Sequence, residues 1–375
     1  MVPGCTPGFI PATEMDAFAF IIHPLDPKRD VARKYPVLGT VLSESTIHFL
    51  SRFWPPVQLA HVTGIRSVAT EKQIEGWLIA VPYTARRMLD LPVREVYRKI
   101  IAAGQLAERL GASILGLGAY TSVVGDGGVS VAQELNIAVT TGDSYTVAVA
   151  VDATVMAVRR MGWKLPGMQL AVVGASGAIG RAATQLLAPL VGELLLIGRD
   201  MAHLDACGSA VTAVGGAAPQ LSTDVADIRQ ADVVITVTSS GGALIEPDML
   251  KPGAIVCDVS RPRDVSWQAA QLRDDVLVID GGLVRVPGDV DFGFDYGLPP
   301  QLTYGCMAET MALALEGLFE DFSLGKQVTV DRVRRIDAVA TRHGFELAAL
   351  RSFEHALDDA SFQRVKAKAY AGGEG

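Results

Sequence analysis

The stretch LAVVGASGAIGRAA, residues 170–183, decides the fold that the sequence predicts. An apolar run leads into Gly174, Gly177 and Gly180, and a helix-forming run follows. In a strand–turn–helix context the first glycine allows a sharp turn and the second lets backbone approach a pyrophosphate. The third permits close packing of helix on strand. The pattern GxxGxxG therefore indicates a variant of the dinucleotide-binding fingerprint.

Strands and helices alternate regularly on the carboxyl side of this turn. Continuous apolar runs suit strands that are buried on both faces of a parallel sheet. The runs are ELLLIGR (193–199), DVVITVTSS (232–240), GAIVCDVS (253–260) and DVLVID (275–280). The predicted fold class is α/β, with a central Rossmann-type doubly wound parallel sheet, an N-terminal mixed α/β domain and a helical C-terminal part.

A chain of 375 residues has room for two or three domains. We predict an N-terminal α/β substrate or lid domain over residues 1–140. A Rossmann NADP(H)-binding domain is expected over 141–285. A loop and a helical region that carries the candidate nucleophile are expected over 286–375.

Composition excludes several classes of function. The net charge of −8 argues against a nucleic-acid partner. Four cysteines without a CxxC pair or zinc-ligand spacing predict no disulfide framework and no metal site. No apolar stretch reaches the ~18 residues that a membrane span needs. The expected location is cytoplasmic; peripheral contact with a membrane and the oligomeric state are left open.

The end of the second strand, LLLIGRD, indicates which dinucleotide binds. An NAD site usually places an acidic residue there, on the ribose 2′-hydroxyl. Here Arg199 comes first, and its guanidinium suits a 2′-phosphate. Ser176 in the glycine turn can donate a further hydrogen bond, and Ile179 is expected at the cofactor. NADPH is therefore the predicted cofactor; the alternative for Arg199 is a solvated charge at a strand end.

Two further strand ends are expected to border the ligand crevice. Thr238 and Ser239 end the fourth strand of the predicted sheet, where a doubly wound fold binds its ligand. Gly281 and Gly282 follow the last strand and can let backbone approach substrate and nicotinamide; an ordinary turn explains them equally well.

Cys306 lies at the start of a predicted helix, residues 303–322. The partial positive charge of a helix N-terminus stabilises a thiolate, the reactive form of cysteine. The alternative is a small buried apolar residue. Cys257 is expected inside a strand, Cys207 in a connecting segment and Cys5 in the leader, so Cys306 alone has activating geometry.

A nucleophilic cysteine beside a nicotinamide predicts one chemistry. The thiolate attacks an acyl thioester, and the resulting acyl-enzyme is reduced to an aldehyde. Backbone N–H groups at the helix start are plausible donors to the oxyanion. Glu309, one turn further on, is interpreted as compensating the helix dipole.

Several blocks in order resemble the cyanobacterial long-chain fatty acyl-(acyl-carrier-protein) reductases. The resemblance implies an acyl-enzyme at Cys306, NADPH as reductant and an acyl carrier protein or acyl-CoA as substrate. It also favours a substrate-binding role for Thr121 and Ser122, whereas Asp143 is explained as a helix cap. The blocks are GWLIAVPYTARRML (76–89), LGLGAYTS (115–122), VTTGDSYTVAVAV (139–151), LAVVGASGAIGRA (170–182), ELLLIGRD (193–200), YGCMAETMALALEG (304–317), FSLGKQVTVDRV (322–333) and RHGFE (342–346).

The sequence departs from that family near the expected entrance for substrate, which leaves the acyl group and its carrier open, and two other functions are also open. Residues 1–55 have no counterpart, VSRPRDV (259–265) replaces an expected glycine pair, and the loop 286–300 is unfamiliar. Arg261 and Arg263 form one of several local basic pairs that could dock an acidic carrier protein or a CoA phosphate, although a solvated face is the default interpretation. One alternative is an NADP-dependent dehydrogenase of a small hydroxy or amino acid, of the shikimate-dehydrogenase kind. The other is a non-catalytic NADP(H)-binding partner protein.

Overall fold

The computed structural model describes residues 15–24, 27–353 and 355–371. Cys5 and most of the leader lie outside this range. Within it no helix has the length and apolar character needed to cross a bilayer.

In the described residues the strands form two six-stranded sheets, one three-stranded sheet and one two-stranded sheet. They are β1 (Ala17–Ile22), β2 (Val57–Arg66), β3 (Gln73–Ala80), β4 (Ile114–Leu117), β5 (Ala138–Thr140), β6 (Gln169–Val173), β7 (Glu193–Ile197), β8 (Gln220–Ser222), β9 (Val233–Thr236), β10 (Ile255–Asp258), β11 (Leu277–Asp280), β12 (Leu283–Arg285), β13 (Gly288–Asp291), β14 (Leu302–Tyr304), β15 (Glu346–Leu347), β16 (Arg351–Ser352) and β17 (His355–Ala356).

Helices cover the sheets and form the C-terminal part. They are α1 (Pro27–Lys34), α2 (Pro36–Val41), α3 (Glu44–Leu50), α4 (Ala85–Asp90), α5 (Val93–Arg109), α6 (Tyr120–Val123), α7 (Val129–Ala132), α8 (Asp143–Arg160), α9 (Ala178–Leu187), α10 (Met201–Ala213), α11 (Trp267–Leu272), α12 (Gly305–Glu316), α13 (Val330–His343) and α14 (Asp359–Ala371).

The second sheet confirms the predicted fold class. Its order is β11-β10-β9-β6-β7-β8, and every pairing is parallel. Numbered within the sheet, this is 6-5-4-1-2-3, the doubly wound Rossmann order. The switch point lies between β6 and β9, so the loops after these two strands border the ligand crevice.

The first sheet is mixed, and one of its strands comes from a segment that the sequence predicted to be a loop. Its order is β13-β2-β3-β1-β4-β5, with β2 antiparallel to both of its neighbours. Strand β13 comes from the loop 286–300, which the sequence assigned to the third region. The boundaries of the three domains stay a prediction.

Helix α12 is shorter than the predicted 303–322. Strand β14 occupies residues up to Tyr304, and the helix ends where Gly317 adopts a left-handed φ of +75°. Two C-terminal hydrogen bonds, from Gly317 N–H to Ala314 and from Leu318 N–H to Leu313, satisfy the last carbonyls. Every residue from Met307 to Leu315 is buried, including the polar Glu309 and Thr310. This helix therefore lies in the core.

Candidate active site

A cavity of about 930 Å³ lies at the carboxyl edge of the second sheet. On one side it is bounded by the glycine turn and the loop after β9, including Gly177 and Thr238. On the other it is bounded by the end of β1 and by Gly118, which follows β4. Cys306 at the start of α12 is in its wall. The candidate nucleophile and the expected cofactor loops thus share one cavity.

Most of the predicted site residues line this cavity. Apart from Cys306, they are Gly177, Ile179, Thr238, Ser239, Ser122, Gly281 and Gly282. Five predicted residues are not part of its lining: Thr121, Gly174, Ser176, Gly180 and Arg199. The Thr121 side chain is buried, and its hydroxyl donates to the Gly118 carbonyl at 2.8 Å. The roles of all these residues in binding stay predictions.

The glycine turn has the close approaches that the fingerprint requires. Gly174 has a φ of +85°, and a Cβ on Gly180 would lie 2.3 Å from the Gly174 oxygen. Helix α9 begins at Ala178, directly after Gly177. Its first N–H groups therefore lie at the crevice, as a bound pyrophosphate needs. The turn fits a dinucleotide.

The end of β7 fits a 2′-phosphate better than a ribose hydroxyl. Arg199 is exposed there. The Asp200 carboxylate instead caps α10, where it accepts hydrogen bonds from the N–H groups of Ala202 (2.9 Å) and His203 (3.2 Å). The acidic residue is thus engaged by its own helix, while the guanidinium is accessible.

Cys306 is fixed by the turn that follows β11. The N–H of Gly305 donates to the Gly282 carbonyl at 2.7 Å, which attaches the start of α12 to the edge of the Rossmann sheet. Cys306 is the second residue of this helix and is partly exposed to the cavity.

Gly142 packs directly against Cys306. It has a left-handed φ of +76°, and a Cβ at this position would lie 2.2 Å from Cys306 Cα and 2.4 Å from its Cβ. A real Cβ cannot approach backbone that closely, so only glycine allows the start of α8 to contact the start of α12. The first residue of α8, Asp143, is thereby held beside the thiol.

Replacing Gly142 by alanine should lower the free energy of unfolding and displace Cys306. The matched control is Gly215→Ala, since Gly215 has a similar φ of +81° but open space around its would-be Cβ. The control should cost about 1–2 kcal/mol from the left-handed backbone alone. Gly142→Ala should cost at least about 2 kcal/mol more from overpacking. Urea unfolding of both variants measures the difference; equal losses would contradict the close approach.

The environment of Cys306 reverses the expected effect of the helix N-terminus on its pKa. Burial, followed by the negative charge of Asp143, raises the pKa of the thiol to about 12. Backbone N–H groups of Cys306 and Met307 act in the lowering direction but are outweighed. The expectation of a stabilised thiolate is therefore wrong for the free protein, and a nucleophilic Cys306 requires a base.

Asp143 is the carboxyl group beside that thiol. Like Cys306, it lines the cavity. Burial and then the charge of Glu309 raise the pKa of Asp143 to about 8, although a hydrogen bond with Thr141 opposes the rise. The residue before it, Gly142, is the N-cap of α8, and no side chain caps that helix. The interpretation of Asp143 as a helix cap is thus wrong.

Glu309 holds α12 against the start of α8. Its carboxyl group is fully buried and accepts hydrogen bonds from Thr140 Oγ1 at 2.5 Å and from the N–H of Tyr145 at 2.8 Å. Burial raises the pKa of this carboxyl group. Its role is therefore to bind the two helices around Cys306, rather than the dipole compensation expected from the sequence.

The basic pair after β10 is not solvated. Both Arg261 and Arg263 pair with Asp280 Oδ1, at 3.2 and 2.7 Å, and both line the cavity. Arg261 also lies 5.5 Å from the centre of the Tyr304 ring. Arg261 and Arg263, which lie where the resemblance implied a glycine pair, thus form one charged wall of the cavity next to α12.

A family model, two curated proteins and several solved structures resemble this chain. A family model described as shikimate/quinate 5-dehydrogenase matches residues 156–280, which contain the whole second sheet. The doubly wound fold, the glycine turn and this match support an NAD(P)-dependent oxidoreductase, and the predicted cofactor, NADPH, is confirmed.

Two curated relatives cover most of the chain. The long-chain acyl-[acyl-carrier-protein] reductase of Synechococcus elongatus is 28% identical over 315 residues, which are 80% of this chain and 90% of that protein. The chain is a divergent relative of that reductase, which confirms the resemblance seen in the sequence. Aminotransferase PigE of a Serratia species is 30% identical over 363 residues, 91% of this chain. The chain spans about two fifths of the length of PigE, since the match covers 41% of it.

Solved structures resemble the chain more distantly. Glutamyl-tRNA reductase from Methanopyrus kandleri is 21% identical, with a TM-score of 0.29 over 49% of this chain and 46% of that one.

Proposed function

We propose that this chain reduces an acyl thioester to an aldehyde through a covalent acyl group on Cys306. The observation that carries the proposal is that Cys306, the glycine turn and the loop after β9 line one cavity. A thiol and a reductant site in the same cavity are what the two halves of this reaction need. The proposal includes a cytoplasmic location.

Asp143 is the proposed base of the first half-reaction. Its carboxylate takes the proton of Cys306 while the sulfur attacks the thioester carbonyl. The carrier thiol then leaves with a proton, and the acyl group remains on Cys306. Backbone N–H groups at the start of α12, at Cys306 and Met307, interact with the thiol, and they are the proposed donors to the oxyanion formed on addition.

The proposed cofactor site is formed by the glycine turn, with Arg199 at the 2′-phosphate and Thr238 and Ser239 near the nicotinamide. When bound, NADPH supplies the hydride that converts the acyl group to an aldehyde. The chain itself contributes the position of the acyl group, and one proton returns to the sulfur of Cys306 as the aldehyde departs.

The far side of the cavity favours an apolar acyl group. Its walls there come from strands β1 and β2 and from the loop after β13. They include Phe20, Ile22, Val57, Leu59, Phe294 and Leu298. These side chains suit a hydrocarbon chain better than a small hydroxy or amino acid. This is the reason to prefer the thioester reductase over the dehydrogenase alternative. An acyl carrier protein or acyl-CoA is the proposed acyl donor.

Intact-mass measurement without NADPH tests the proposed intermediate. The full chain is incubated with octanoyl-CoA, palmitoyl-CoA and palmitoyl carrier protein, and its mass is recorded. We expect an increase by one acyl group, on the peptide that contains Cys306. Adding NADPH should remove the adduct and release one equivalent of aldehyde. Aldehyde formation without any adduct, or an adduct only on Cys207 or Cys257, would contradict the proposal.

A further inference from the structure

Residues 27–54, which we name the N-terminal helical segment, expose an unusual amount of apolar surface. It contains α1, α2 and α3 and connects β1 to β2. Val37 and Val41 are 73% and 75% exposed, and Phe49 and Phe53 are 60% and 66% exposed. Each pair is four residues apart, and the two phenylalanine rings contact each other edge to face at 5.8 Å. Grouped apolar exposure of this kind marks an interaction surface.

The segment is attached to the body of the protein by its polar groups. The His48 carbonyl accepts a hydrogen bond from the Arg87 guanidinium at 2.6 Å. The Trp54 carbonyl accepts one from the Lys99 ammonium at 2.7 Å. Since helices this short are unstable alone, these contacts hold the exposed side chains in place.

The charge of the segment is opposite to that of the chain. It carries the basic residues Lys28, Arg29, Arg33, Lys34 and Arg52, against the acidic residues Asp30 and Glu44. Its net charge is thus +3, in a chain whose net charge is −8. A segment that is basic overall and exposes apolar side chains, on an acidic protein, complements an anionic surface that also offers an apolar layer.

The same segment reaches the mouth of the cavity. Tyr35, Leu38 and Trp54 line the cavity that contains Cys306, and Tyr35 and Leu38 are also 46% and 40% exposed. The segment thus contributes to the cavity wall as well as to the exterior, and its charged residues Arg29 and Arg33 also line the cavity.

We infer that the N-terminal helical segment docks on the surface of an anionic lipid bilayer, with Val37, Val41, Phe49 and Phe53 in the acyl–headgroup boundary. A second copy of the chain fits less well, because an isologous contact would place two surfaces of net charge +3 face to face. The inference goes beyond the proposed reaction and does not depend on it.

Vesicle flotation tests the docking, without cofactor or substrate. The full chain is mixed with vesicles of phosphatidylglycerol and phosphatidylcholine in equal parts, or of phosphatidylcholine alone. We expect binding to the anionic vesicles, weakened by added salt. The double variant Phe49→Ser/Phe53→Ser should weaken it at least about tenfold. The control Val214→Asn/Leu272→Ser removes side chains that are 53% and 70% exposed elsewhere and should bind like the unaltered chain.

Several outcomes would overturn the inference. The first is that the chain, shown to be folded by circular dichroism, does not float with anionic vesicles. The second is that the variant Phe49→Ser/Phe53→Ser floats as well as the unaltered chain. If sedimentation velocity without lipid shows that the unaltered chain is a dimer and that this variant is a monomer, a second copy of the chain is the occupant. Salt-sensitive binding of an isolated acyl carrier protein that the variant abolishes, with no vesicle binding, would assign the surface to that carrier instead.

Discussion

Cys306→Ala should form no aldehyde from any acyl thioester and should acquire no acyl adduct. The sulfur is the atom proposed to carry the acyl group, and alanine offers no substitute. Loss of a catalytic nucleophile typically lowers kcat by several orders of magnitude, so a decrease of at least about 10³-fold is expected. The measurement is steady-state aldehyde production with NADPH, together with intact mass without NADPH.

The control for this variant is Cys207→Ala. Cys207 is buried in α10 among apolar side chains, with no place in the cavity wall. Removing its thiol should leave aldehyde formation within a few-fold of the unaltered chain. Both variants should retain NADPH binding, measured by the fluorescence of the reduced cofactor. An active Cys306→Ala variant would exclude the covalent route and favour a dehydrogenase in which this cysteine is packing.

The second sheet was predictable because its signals are local. Each strand between residues 169 and 280 is a short apolar run, and the glycine turn lies at the strand-to-helix junction that the motif specifies. Strand β13 had no such signal. Its residues GDVD read as a turn, and it becomes a strand only through pairing with β2, more than 200 residues earlier. A short, acidic strand of this kind is typical of a sheet edge.

A site residue could be predicted where its type and its local position in the sequence are enough to indicate its chemistry. Cys306 at a helix start is such a case. The roles of Asp143 and Glu309 depend on contacts between α8 and α12, such as the hydrogen bond of Thr140 to Glu309 across 169 positions. Arg261 likewise resembles a solvated cation until Asp280 is brought beside it. These electrostatic environments arise from tertiary packing, and neither spacing nor composition encodes them.

The position of the thiol and its acid–base state are separate properties of this site. Packing of Gly142 against Cys306 brings the sulfur to the cavity, whereas the same packing buries it and places a carboxyl group nearby. Burial would protect the proposed acyl-enzyme from water, but it suppresses the thiolate. A group that removes the proton during attack resolves this conflict, and Asp143 is placed to do so.

Asp143→Asn should lower kcat/KM for acyl thioesters by about 10²- to 10⁴-fold, the usual contribution of a general base. The pKa of Asp143 is raised to about 8, so its carboxylate form predominates only above that pH. In the unaltered chain the rate of adduct formation should therefore rise with pH up to about 8 and then level off. The asparagine variant should lose this limb of the profile. The reaction is quenched at set times between pH 6 and pH 9, and the intact mass gives the amount of adduct. This measures the pH profile of the unaltered chain and of the variant.

Stability supplies an independent readout of the same carboxyl group. A raised pKa means that the folded chain holds a proton that the unfolded chain releases, so stability is lost as pH rises from about 4 to about 8. Asp143→Asn removes this loss of stability, and the melting temperature of the variant should exceed that of the unaltered chain by more at pH 9 than at pH 5.

The control for the rate profile is Asp152→Asn, a substitution at an exposed position on the same helix, which should leave the profile unchanged. Since Asp143 also raises the pKa of Cys306, its removal should speed alkylation of the thiol by iodoacetamide. If aldehyde formation at pH 7 also increased, Asp143 would be an inhibitory charge rather than the base.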